Sequence, residues 1–158
     1  MRKIIFLDVD GTLVNYDNIL PESAKKAVQE ARKMGHLVYV CTGRSKAEMP
    51  AFIWDVGFDG MIGGNGSYVE HDNQVIMHQL IPLDVEKRVV DWLHERGLEF
   101  YLESNNGLFA SKNFKEAARP VIRLYAKGKG APEEVIETME AEDALHGLFY
   151  GGNFTGMT

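Results

Sequence analysis

Two aspartates one residue apart, Asp8-Val9-Asp10, are followed directly by Gly11 and Thr12. Two carboxylates held close together repel, and one takes up a proton unless a hard cation such as Mg²⁺ lets both stay ionised. Gly11 permits the tight turn and close backbone approach that an anion-binding loop requires. A lone Asp-x-Asp more often only caps a turn, so the pair gains meaning from its surroundings. Further along, Thr42-Gly43-Arg44 offers a hydroxyl, main-chain N–H groups near a helix start and a planar guanidinium, all suited to phosphoryl oxygens. Each has a plainer role as well: helix capping for Thr42, solvation for Arg44. Asn65-Gly66 is first of all a turn signal.

The elements that must hold these residues can be read from the spacing of apolar positions. Ile4 to Val9 is an apolar run broken only at Asp8, the pattern of a strand covered on both faces, and it stops at Asp10-Gly11-Thr12. Ala24, Ala27, Val28, Ala31 and Met34 recur at helical spacing, with Gly35 placed to end that helix. Leu37 to Cys41 is a second strand. Ser45 with Glu48 has the form of a capping box that opens another helix, kinked or restarted at Pro50. Gly60 to Ile62 is a third strand. Strand, helix, strand, helix, strand winds right-handed into a parallel sheet, which sets Asp8, Asp10 and Thr42 at its carboxyl end, where open α/β sheets bind ligands.

Beyond Asn65, Ser67 to Glu70 and Gln74 to Leu80 predict a hairpin around His71-Asp72-Asn73. Ile81-Pro82 marks the expected boundary. After it come a helix capped by Asp84 and ending near Arg96-Gly97, strands at Leu98 to Glu103 and Leu108 to Ser111, and helices over 112–127 and 133–144. Lys112, Lys115, Arg119, Arg123 and Lys127 give the first of those helices a basic face, read as solvated, as drawing an anionic substrate toward Asp8, or as pairing with the acidic stretch that begins at Glu133.

Taken together, Asp8-Val9-Asp10-Gly11-Thr12-Leu13 after an apolar strand resembles the first motif of the haloacid dehalogenase superfamily of phosphohydrolases. Thr42-Gly43-Arg44 resembles its second motif, and Gly60-Met61-Ile62-Gly63-Gly64-Asn65-Gly66 is similar to the stretch before the cap in the Cof-type, or type IIB, branch. The resemblance implies an α/β fold: half of a doubly wound parallel Rossmann-like core over 1–81, followed by an incomplete α+β cap over 82–158. It implies a Mg²⁺-dependent phosphatase of small phosphorylated metabolites, with sugar phosphates as one such class. In that picture Asp8 attacks phosphorus and becomes an aspartyl phosphate, and Asp10 is general acid and then base. Gly11, Thr42, Gly43, Arg44 and Asn65 bind phosphate or substrate, and the Asp8 carboxylate and Asp10 backbone carbonyl hold the metal. Phosphomutase activity, a non-catalytic binding role and a receiver domain are the alternatives; a receiver's acceptor aspartate ends a later strand, which the Asp-x-Asp-Gly-Thr at the first strand does not match.

Complete members of the family also carry a phosphate-binding lysine and a later Gly-Asp-x-x-Asn-Asp-like metal motif, neither of which is recognisable here. The sequence from Gly151 to Thr158 contains no acidic residue. The reading is therefore of a chain that stops inside the cap, binds Mg²⁺ weakly and turns over little by itself. An open core edge that promotes self-association is also expected. The net charge of −6, divided as −2 before Ile81 and −4 from there on, opposes binding to nucleic acid or anionic membrane surfaces. No apolar run is long enough to span a bilayer. The lone Cys41 and the absence of a signal-like opening make the cytoplasm the expected location. The five histidines show no metal-ligand spacing.

Overall fold

The computed structural model describes residues 1–15, 19–128, 130, 133–134 and 148–150. They divide into two compact units: Met1–Ile81 with Ser104–Asn106, and Pro82–Glu103 with the described residues from Gly107 on.

The first unit is α/β. Its strands β1 (Ile4–Leu7), β2 (Leu37–Cys41), β3 (Gly60–Gly63), β4 (Tyr68–His71) and β5 (Gln74–His78) lie side by side in chain order. Pairing is parallel from β1 to β3 and antiparallel from β3 to β5. Helix α1 (Glu22–Lys33) connects β1 to β2, and the one-turn α2 (Ala51–Trp54) lies between β2 and β3. Val28 of α1 and Ile53 of α2 are buried with Val38, Val40 and Met61 of the sheet, and Ala24, Ala31, Ile5 and Leu7 pack against them. These are the alternate residues of each strand, as one covered sheet face demands.

The other face departs from the expectation of a strand covered on both sides. Ile4 and Phe6 are 58% and 55% exposed, and the Phe6 ring meets Tyr39 at 5.7 Å between centroids. Strand β1 is also shorter than its apolar run. Leu13 N–H donates to the Asp8 carbonyl at 3.2 Å and Val14 N–H to the Val9 carbonyl at 2.9 Å, turning the chain into a loop right after Leu7. Val9, Leu13 and Val14 are consequently core residues without being strand residues.

The Ser45 helix is also shorter than predicted. A single 3₁₀ turn, Lys46–Glu48, stops at Met49, whose backbone is extended (φ −83°, ψ 114°) because Pro50 follows; α2 then starts afresh. The hairpin turn is tight: Asp72 and Asn73 both have positive φ, 47° and 60°, as a two-residue primed turn requires.

The second unit contains α3 (Leu83–Glu95), β6 (Tyr101–Ser104, of which Ser104 falls in the first unit), β7 (Gly107–Ala110), α4 (Phe114–Gly128) and β8 (Leu148–Tyr150). Pro82, not Asp84, is the N-cap of α3; Asp84 falls in the first turn, where its charge favours the helix dipole. β8 runs parallel to β7, a strand the sequence pattern did not indicate. Leu83, Val90, His94, Phe100, Leu102 and Phe109 help line a cleft of about 480 Å³ in this unit. The helix predicted over 133–144 and the stretch 151–158 lie outside the described residues, apart from 133–134.

Candidate active site

Parallel pairing with Leu7 opposite Val40 makes the loops after β1 and β2 leave the sheet at the same end. The first holds Asp8, Asp10 and Gly11. Gly11 has φ +79°, a left-handed conformation that costs glycine nothing, and its N–H donates to the Val14 carbonyl at 2.9 Å. Asp8 and Asp10 are exposed at the tip of this loop while Val9 between them is buried, so the loop is anchored through its apolar residue and presents its charges. The Asp8 side chain makes no hydrogen bond or ion pair with another described residue.

The second loop is wired to the sheet and to the first loop. Thr42, buried, donates its N–H to the Ile62 carbonyl at 2.9 Å, and its Oγ1 accepts the Arg44 N–H at 3.2 Å. The Arg44 guanidinium forks onto Asp10: Nε to Oδ2 at 3.0 Å and a terminal N–H to Oδ1 at 2.6 Å. Its other arm donates to the Glu48 carbonyl at 3.3 Å. Hydrogen bonding to the Asp10 carboxylate outweighs the opposing effect of burial and raises the Arg44 pKa. The Glu48 carboxylate in turn accepts the Ser45 N–H at 2.8 Å and its hydroxyl at 3.0 Å, the contact foreseen from the Ser45/Glu48 spacing.

Asn65 approaches the same loop from the end of β3. Its backbone is left-handed (φ 54°), and a Cβ on Gly43 would sit 3.1 Å from its Oδ1, so the carboxamide packs over the glycine. Asn65 thus lies beside Gly43, and Arg44 reaches Asp10; both links join residues too far apart in sequence for a local pattern to show.

Behind the site lies a cluster that sequence spacing gave no means of finding. Lys46 pairs with the buried Glu70, which also accepts the Tyr68 hydroxyl at 2.5 Å, and the Lys46 ammonium lies 6.0 Å from the Trp54 ring centre. Burial alone would push the Glu70 carboxyl up, but the hydrogen bonds from Lys46 and Tyr68 prevail and hold it below its ordinary value.

The donors available to a cation here are oxygens, which suit a hard ion. They are the Asp8 carboxylate and the Asp10 main-chain carbonyl, to which no described backbone group donates. Among the described residues no three acidic, histidine or cysteine side chains converge on one point, and the Asp10 carboxylate is engaged by Arg44. The fit is therefore one of donor type with a partial set. That accords with the habit of Mg²⁺ of keeping several waters and taking one or two carboxylates together with phosphate.

Residues 5–149 match the family described as haloacid dehalogenase-like hydrolase, and the chain belongs to that family. It is 32% identical over 92 residues to the 5-amino-6-(5-phospho-D-ribitylamino)uracil phosphatase YitU of Bacillus subtilis, covering 56% of this chain and 34% of that protein. Its fold resembles that of a haloacid dehalogenase-like hydrolase from B. subtilis (TM-score 0.72, 20% identity, 98% of this chain and 55% of the other). It also resembles the subclass IIB sugar phosphatase BT4131 (TM-score 0.63, 23% identity, 95% and 51%). The chain spans about a third of the length of the curated relatives it matches and about half that of the solved structures. Among the described residues no helix is long and apolar enough to cross a membrane.

Proposed function

We propose that this chain carries the nucleophile and acid/base half of a Mg²⁺-dependent phosphatase acting on small phosphorylated metabolites, sugar phosphates among them. The observation that supports it most directly is the Arg44–Asp10 pair, which ties the first motif to the second at the carboxyl end of the parallel strands. In this reading an Asp8 carboxylate oxygen attacks phosphorus. The bond to the leaving oxygen breaks, and Asp10, which enters this step protonated on a lone pair that the Arg44 fork leaves free, supplies the proton that oxygen takes up. Asp10, now a carboxylate, accepts a proton from water, whose oxygen attacks phosphorus and releases Asp8. Thr42 still has its hydroxyl proton to donate to a phosphoryl oxygen, since its oxygen accepts from Arg44. Mg²⁺, when bound at Asp8 and the Asp10 carbonyl, would offset the negative charge that nucleophile and phosphate bring together. In the same reading Asn65, which packs over Gly43, meets the alcohol portion of the substrate.

The test is phosphate release from a panel of phosphomonoesters with and without Mg²⁺, alongside the Asp8→Asn variant. Mg²⁺-dependent release abolished in the variant is the expected result. Release unaffected by Asp8→Asn overturns the covalent step, and no release from any ester by a longer polypeptide that also supplies the phosphate-binding lysine and the later metal motif overturns the phosphatase reading.

A further inference from the structure

A guanidinium at the mouth of a phosphate site is ordinarily taken to hold the phosphate, but the Arg44 side chain is already committed. Its main-chain N–H is held by Thr42 Oγ1, and its carbonyl accepts the Gly64 N–H at 2.9 Å. Two of its side-chain nitrogens grip both oxygens of Asp10, and the third donates to the Glu48 carbonyl. Glu48 is itself fixed by the buried Ser45. The side chain is only 25% exposed, against 53% for that of Asp10. Reaching a substrate would require breaking the fork or abandoning the Glu48 carbonyl, whereas holding Asp10 uses the geometry as it stands.

We propose that Arg44 is a positioning residue for Asp10, acting on the reaction through that carboxylate and not by touching the phosphoryl group. This rests on the acid/base reading of Asp10 given above. The planar fork makes two parallel bonds, which fix the plane of the carboxylate as well as its place. Orientation of this kind is worth about 10²-fold when a proton-transfer group shifts by an ångström.

A double-mutant cycle between Arg44 and Asp10 tests it. Arg44→Gln is expected to lower kcat by about 10–100-fold and leave KM nearly unchanged. Arg44→Lys should restore little, because an ammonium cannot make the fork. The Arg44→Gln/Asp10→Asn double variant should be no slower than Asp10→Asn alone, since Arg44 has nothing left to position. A raised KM with kcat intact, or losses that multiply in the double variant, overturns the proposal. Undiminished turnover by Asp10→Asn is a different failure, that of the acid/base reading. A second measurement needs no turnover: the Arg44 Nε–H resonance of the ¹⁵N-labelled chain should shift and exchange faster in Asp10→Asn, and stay in place when inorganic phosphate is titrated to saturation of the Thr42 amide shift. A resonance that ignores Asp10→Asn and follows phosphate marks Arg44 as a phosphate ligand and overturns the proposal.

Discussion

Two arginine–aspartate forks of nearly the same geometry sit at opposite ends of the sheet in the first unit. At the amino end Arg32, in the last turn of α1, meets Asp59, just before β3, at 3.1 and 2.9 Å; at the carboxyl end Arg44 meets Asp10 at 3.0 and 2.6 Å. What differs is the rest of each carboxylate's surroundings. The Asp59 side chain is 11% exposed and accepts the Val38 N–H at 2.8 Å, so it joins helix, β2 and β3 in one structural joint. Among the described residues Asp10 has Arg44 as its side-chain partner, and it is more than half exposed. One pair closes the fold, and the other leaves an aspartate oriented with a side still open. The geometry of an ion pair therefore does not reveal its task; the number of other contacts its acid has does.

The largest effect expected is on chemistry. If Asp8 attacks phosphorus as proposed, Asp8→Asn should abolish whatever phosphate release the chain shows, a loss on the order of 10⁴–10⁶-fold where a longer polypeptide restores full turnover. Its melting temperature should not move, because Asp8 has no described partner to lose; calorimetry beside the rate assay reads both. At the other end Asp59→Asn should cost about 1.5–3 kcal/mol of stability in urea unfolding, the range for hydrogen bonds to a charged group, with turnover per folded molecule unchanged. A variant that unfolds no more easily than the parent would erase the distinction between the two ends.

Acid should sharpen the contrast. Burial alone would push the Asp59 carboxyl up, but the hydrogen bonds from Arg32 and Val38 outweigh it and hold it below its ordinary value of 3.8. A carboxyl lowered in the folded state contributes stability that is complete above that ordinary value and is lost as pH falls through the folded one. The parent should therefore lose this contribution below about pH 4, and the urea midpoint of Asp59→Asn should show a shallower acid limb. The smallest effect belongs to Asp10→Asn, whose exposed pair should change stability by less than about 1 kcal/mol, against a large loss of rate.

Much of this architecture was open to reading from local patterns. The three parallel strands, α1 and the hairpin follow from apolar spacing and turn residues, because burial on a sheet or helix repeats at a fixed period. The position of Asp8 and Asp10 in the loop after the first strand was legible in the same way, from Gly11 and the apolar run before them. Other features depend on contacts between distant segments. Arg44 meets Asp10 across 34 positions, and nothing in either motif announces that the fork points at the acid. Glu70 looked like an ordinary strand acid until Lys46 and Tyr68 were placed around it. Phe6 and Ile4 were read as buried because apolar residues usually are, yet periodicity cannot say whether a second layer is present among the described residues.

The position of β1 at the margin of its sheet has a consequence for the timescale of local opening. Leu37 N–H donates to the Lys3 carbonyl, so in a parallel ladder Lys3, Ile5 and Leu7 turn their peptide groups toward β2, and Ile4 and Phe6 turn theirs away. Amide hydrogen exchange along this strand should then alternate residue by residue, slow at Ile5 and Leu7 and fast at Ile4 and Phe6. The slow pair reports how often the strand detaches from β2, and each detachment also releases the platform on which Asp8 is mounted.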